Sequence, residues 1–137
     1  MSQENVEAAR SMYAATARGD WSRMSVWLDP EVEFVAVGGP DPGVVASGFT
    51  ALVGAWRGYL SAWENFRLDV QDIRALDEGR VLALTRRGGR GRVSGMEIED
   101  LAGAEGADVL HYRDGKVVRY LSYWDRGRAL ADLGLEE

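Results

Sequence analysis

Apolar residues recur at steps of three and four along the first third of the chain and at steps of two along most of the rest. Val6, Ala9, Tyr13 and Thr16 with Ala17 form one stripe, the spacing of an amphipathic helix. Gly19 supplies a stop and Asp20 an N-cap for a second helix. That helix puts Trp21, Met24, Trp27 and Leu28 on one side, and Asp29–Pro30 ends it. The segment EVEFVAV (31–37) is rich in β-branched residues and alternates at first, so it reads as a strand. GGPDPG (38–43) reads as a loop. A third helix follows, its apolar face made by Phe49, Leu52, Val53, Trp56, Leu60 and Trp63.

From Phe66 the period becomes two. FRLDVQDI alternates Phe66, Leu68 and Val70 with Arg67, Asp69 and Gln71. DEG (77–79) turns into RVLALTRR, a Gly-Gly pair turns again, and RVSGMEIEDL leads towards ADVLHYR. RDGK (113–116) is a strong hairpin signal, because Asp-Gly suits the turns whose twist matches that of paired strands. VVRYLSYWD is the final strand, and RGRALADLGLEE makes a last helical turn. Three helices followed by consecutive antiparallel strands predict an α+β domain with the helices over one face of a curved sheet. Such a sheet closes into a cone with an apolar interior, a natural small-molecule pocket.

Composition narrows the chemistry. A length of 137 residues suits one domain. There is no cysteine and a single histidine, which excludes thiolate chemistry and leaves carboxylates to supply almost every ligand of a metal site. No metal or cofactor is therefore expected. A net charge of −6 disfavours nucleic acid as a partner. RRGGRGR (86–92) is a local basic exception, read as a flexed hairpin tip kept soluble by charge rather than as an anion contact. No stretch is apolar enough to span a bilayer and the first residues lack the order of a signal peptide, so the expected location is cytoplasmic.

The first-helix pattern MYAATARGD (12–20), WLDPEVEF (27–34), a helix opened by Gly48, RDGKVVRY (113–120) and SYWDRGRALADLGL (122–135) occur in order over most of the chain. In this the chain resembles the SnoaL-like proteins of the nuclear transport factor 2-like superfamily, which includes ketosteroid isomerase. The resemblance implies a single domain over 1–137, a cone-shaped roll of curved antiparallel sheet with three N-terminal helices covering its concave face, also called cystatin-like. It implies cofactor-independent acid–base chemistry on a polycyclic, polyketide or terpenoid-like compound, as an isomerase, cyclase or hydrolase, or else a non-catalytic ligand-binding or dimerisation module. A homodimer through the outer sheet face is implied as well.

Site residues carry over one at a time. The first-strand position that holds a general-base Asp in the isomerases falls on Val35 or Ala36, neither of which takes a proton. The first-helix tyrosine falls at Met12 or Tyr13, and Tyr13 is either a donor to the ligand or a buried core residue. The later-strand acid falls on Asp108, on one strand face with Leu110 and Tyr112. Inside the cone, desolvation raises its pKa and keeps it a proton donor; a bulge within AGAEGA (102–107) turns it outward instead. The water-activating relay of limonene epoxide hydrolase-like members lacks both carboxylates, since its final-strand acid falls on Ser122.

Alternation splits the last strand into two faces; the resemblance implies that Val118, Tyr120, Ser122 and Trp124 lie in the cone and that Trp27 and Trp56 stand near the same cavity. The candidate catalytic pair is thus Asp108 and Tyr120. Tyr13, Trp27, Trp56, Leu60, Leu110, Ser122 and Trp124 are the candidate contacts for a small hydrophobic molecule. His111 lies on the opposite strand face, where it reads as surface or interface. Glu97, Glu99 and Asp100 read as a solvated strand edge.

Overall fold

The computed structural model describes residues 2–38, 43–61, 63–92, 95 and 105–135. Helix α1 (Ser2–Ala17) buries Val6, Ala9, Met12 and Tyr13 along the expected stripe. It stops where Gly19 adopts φ +70°, with Asp20 N–H bonded to Ala15 O and Gly19 N–H to Thr16 O. This pair of bonds satisfies the last carbonyls of the helix.

The second helix differs from its prediction. Trp21–Val26 is a 3-10 turn, and Leu28 already opens strand β1 (Leu28–Val37). Asp29–Pro30 therefore lies inside a strand rather than at a helix end. Pro30 has no N–H to give a ladder, and the β1 register slips between Leu28 and Glu33, where that loss is harmless.

Strand β2 (Gly43–Ser47) occupies the stretch between GGPDPG and helix α2 (Phe49–Ser61), for which the pattern predicts no element. Strands β3 (Trp63–Ala75), β4 (Arg80–Gly91), β5 (Glu105–Arg113) and β6 (Lys116–Tyr123) follow, then helix α3 (Arg126–Asp132). At the β5–β6 turn Asp114 and Gly115 both have positive φ, +54° and +79°, as the Asp-Gly signal requires.

RRGGRGR is no hairpin tip. Strand β4 continues through both glycines and stays paired with β3 as far as Trp63↔Gly91. Gly89 sits at φ +144°, and a Cβ there would lie 3.1 Å from Phe66 Cα, so only glycine lets the two backbones run this close. Most of RVSGMEIEDL, with Glu97, Glu99 and Asp100, lies outside the described residues.

The six strands form one curved sheet in the order β2-β1-β6-β5-β4-β3. All neighbours are antiparallel except β1 and β6, which run parallel. The concave face, with Val32, Val81, Ala83, Leu110 and Val117, packs on α1, the 3-10 turn and α2. The opposite face is covered at one end by α3, whose Ala129 and Leu130 pack on Leu82, Ala107, Val109 and Tyr123. Among the described residues no helix is long and apolar enough to cross a membrane.

A bulge revises the final strand. The β5–β6 register slips after His111↔Arg119 to Tyr112↔Val117, leaving Val118 as the extra residue. Val117 is fully buried in the concave core and Val118 only half-buried, the reverse of strict alternation.

Candidate active site

Strand alternation brings Asp108 into the cone. It pairs with Ala83 on β4 and Ser122 on β6, and its side chain is buried. The outward alternative required a bulge before it; the described ladder from Glu105 to His111 with β4 is regular.

Two tyrosines close on the same carboxylate oxygen. Tyr13 from α1 donates its hydroxyl to Asp108 Oδ2 at 2.6 Å, and Tyr120 from β6 donates to Oδ2 at 2.9 Å. The two hydroxyl oxygens lie 3.4 Å apart. Short O–H···O contacts of this kind are the strong, charge-assisted sort. Ser122 stands opposite Asp108 on the neighbouring strand.

The electrostatics follow from burial. Desolvation raises the Asp108 pKa, while hydrogen bonds from Tyr13 and Tyr120, the Ser122 hydroxyl and the positive charge of Arg87 pull it back down. Burial, then the Asp108 charge, pushes the Tyr13 and Tyr120 hydroxyls well above the ordinary phenol range. Both tyrosines thus remain proton donors, and Oδ2 of Asp108 is their shared acceptor.

A cavity of about 460 Å³ opens beside this cluster, within the range typical of small-molecule sites. Tyr13, Thr16 and Ala17 from α1 and Trp21 from the 3-10 turn form one wall. Trp56 and Leu60 from α2 face Phe66, Leu68 and Val70 from β3. Tyr13 is the one residue common to the cavity wall and the polar cluster.

Of the residues proposed from sequence, Tyr13, Trp56 and Leu60 line this cavity. Asp108 and Tyr120 lie behind Tyr13, and Ser122 sits beside Asp108. The other three are not on the cavity wall. Trp27 and Leu110 are buried in the concave core, and Trp124 stacks under the guanidinium of Arg87, 5.1 Å from its ring centroid. Val35 and Ala36 lie on β1 with no acidic side chain at either position. His111 is half-buried away from the cluster, its pKa lowered by burial and by Arg119 and Arg80.

Sequence reasoning missed Arg87, Trp21 and the β3 wall. Arg87 had a signal: Val81, Ala83 and Thr85 are inward at steps of two, and Arg87 is the next in that series. Reading Gly88–Gly89 as a turn put Arg87 at a solvated hairpin tip instead of inside a continuing strand. Among the described residues no group of three or more His, Cys, Asp or Glu is placed to hold a metal ion.

A family model described as a SnoaL-like domain matches residues 9–120. The chain belongs to the SnoaL-like domain family. No curated protein matches it. Among solved structures, this SnoaL-like chain is similar to Bal32a from a soil-derived mobile gene cassette, at 18% identity over 88% of each chain with a TM-score of 0.74. It is similar to TerC co-crystallised with polyporic acid, at 21% identity over 95% of this chain and 97% of that one, TM-score 0.72. It is also similar to a putative polyketide cyclase from Sinorhizobium meliloti, at 15% identity over 85% and 93%, TM-score 0.64. At such identities the likeness speaks to fold, which agrees with the α+β roll seen here.

Proposed function

We propose that this SnoaL-like protein binds a flat, mostly apolar small molecule in the cavity and moves a proton on it through Tyr13. The observation that carries this reading is the double position of Tyr13, which lines the cavity and donates to buried Asp108 at 2.6 Å. A carbon or oxygen acid seated against Tyr13 gives its proton to the tyrosine oxygen as the tyrosine proton passes to Asp108 Oδ2. The transfer is concerted, because burial disfavours a free tyrosinate. Return of the proton from Asp108, again through Tyr13, to a different atom of the ligand completes an isomerisation or ring closure with no net proton change. Tyr120 holds the carboxylate in place. TerC with polyporic acid and the putative polyketide cyclase lend support to a polyketide-like or quinonoid ligand.

Tryptophan fluorescence reads binding, since Trp21, Trp56 and Trp63 line the cavity. A panel of quinones, polyketides, steroids and terpenoids is expected to contain a saturable quencher. Exchange of that ligand's acidic hydrogen in D₂O then reads the chemistry. Tyr13→Phe is expected to slow exchange by about 10²-fold or more. Equal exchange in both proteins removes the acid–base reading.

A second reading has its own support. Val35 and Ala36 put no proton-accepting side chain at the first-strand position where the isomerases it resembles carry one, which favours a ligand-binding module without turnover; binding with no exchange in the wild type selects it. We further assign self-association to the outer sheet face beyond α3, around Glu33, Arg119 and His111. Sedimentation equilibrium tests this, with a monomer at micromolar concentration as the result that rejects it.

A further inference from the structure

Arg87 is an unusual guest on the concave face. It is only 7% exposed and follows Val81, Ala83 and Thr85 on the inward side of β4. Its neighbour Leu68 across the β3 ladder lines the cavity.

Three contacts of the guanidinium lie among the described residues. It donates to Tyr123 O at 3.3 Å, lies over Trp124 at 5.1 Å, and rests on Gly106. A Cβ at Gly106 would stand 2.8 Å from Tyr123 O and 2.9 Å from Nη2, so the missing side chain leaves room for both the neighbouring backbone and the guanidinium. Gly106 and Asp108 are two apart on β5 and face the same way, with about 7 Å between such Cα atoms. The bed of Gly106 thus places a fixed positive charge next to Asp108, on the β4 side, while Tyr13 approaches from α1.

We propose that Arg87 is a positioning residue that holds Asp108 as the charged, proton-accepting member of the cluster. The inference rests on the reading that Tyr13 passes a proton to Asp108. It sharpens that reading: a charged Asp108 accepts first and donates only afterwards, so the ligand enters as a neutral carbon or oxygen acid whose proton rests on Asp108 until it is returned. At the distances involved, a buried cation acts strongly because little water screens it. The titratable and charged groups facing Asp108 among the described residues are Tyr13 from α1, Tyr120 from β6 and Arg87 from β4; Ser122 contributes a hydroxyl. Arg87 is the one cation in that set.

The Asp108 carboxyl carbon, labelled with ¹³C and identified by its loss in Asp108→Asn, is titrated in the ligand-free protein. Arg87→Gln, which keeps an amide to reach Tyr123 O, is expected to move the midpoint upward by one pH unit or more. Arg87→Lys is expected to recover at least half of that movement. A midpoint unchanged in folded Arg87→Gln overturns the proposal. Should that variant not fold, Trp124→Leu serves instead: it keeps the charge but removes the ring beneath it. A smaller upward movement is then expected, and an unchanged midpoint overturns the proposal equally. The titration uses no ligand, so its outcome is separate from the exchange test of Tyr13→Phe.

Discussion

Tyr13 and Asp108, 95 residues apart in sequence, meet in a buried 2.6 Å hydrogen bond in which the phenol donates and the carboxylate accepts. The bond links a helix whose opposite side faces solvent to the central strands of the sheet. It also links the cavity to the buried acid behind its wall, because Tyr13 touches both.

The carboxylate should matter more to packing than its charge alone suggests. Asp108→Ala leaves the Tyr13 and Tyr120 hydroxyls buried without their acceptor, at about 1–3 kcal/mol for each stranded group. Asp108→Asn retains an acceptor oxygen and is expected to fold with far smaller loss. Urea unfolding of the two variants side by side checks this; equal stabilities contradict it.

The pH dependence of stability has a definite sign. Burial lifts the folded-state pKa of Asp108 above the ordinary value of 3.8. Below that ordinary value both states are protonated and the group has no effect. As pH rises from 3.8 through the folded value, the unfolded chain releases its proton first and stability is lost. Asp108→Asn removes this contribution, so its stability relative to wild type is expected to improve across that window and then level off. Unfolding free energies measured from acid to neutral pH test the slope.

Filling the cavity should separate binding from folding. Leu60 lines the cavity from α2 and remains partly accessible. Leu60→Trp is expected to weaken a bound ligand at least tenfold, about 1.4 kcal/mol, while the melting temperature barely moves. Undiminished affinity would place the ligand elsewhere.

Arg126 fastens the last helix to the sheet. Its guanidinium donates to Thr85 O at 2.7 Å, to Gly106 O at 3.3 Å and to Gln71 Oε1 at 2.6 Å. Arg126→Ala is expected to cost about 1.5–3 kcal/mol, the range for hydrogen bonds made by a charged group. Hydrogen exchange at Ala129 and Leu133, whose amides bond within this helix, should quicken more than exchange in β5.

Much of this architecture was legible in side-chain periodicity. The stripe on α1, the alternation of β3 and the Asp-Gly turn each state a local preference that the fold keeps. The failures are equally physical. Trp21–Leu28 has helical spacing, but Pro30 and the pairing of Leu28 with Val117 pull its end into a strand. Gly88–Gly89 looks like a turn because glycine favours turns; here it answers the close passage of Phe66 on the neighbouring strand. The inward side of Asp108 followed from alternation alone, whereas its union with Tyr13 depends on how α1 crosses the sheet. No local pattern encodes that crossing.

The parallel ribbon between β1 and β6 is the ladder of the sheet with the longest reach along the sequence. It joins Phe34 to Tyr120, so a loop of most of the molecule must close before the ladder forms. Non-local pairing of this kind slows folding, because chain entropy is lost before contacts reward it. Helix α1 and the β3–β4 and β5–β6 hairpins can precede it; the meeting of Tyr13 with Asp108, 95 residues apart, is itself non-local. In a refolding experiment the helical signal is expected to return before ligand quenching does, making competence for binding a late event in the life of each new chain.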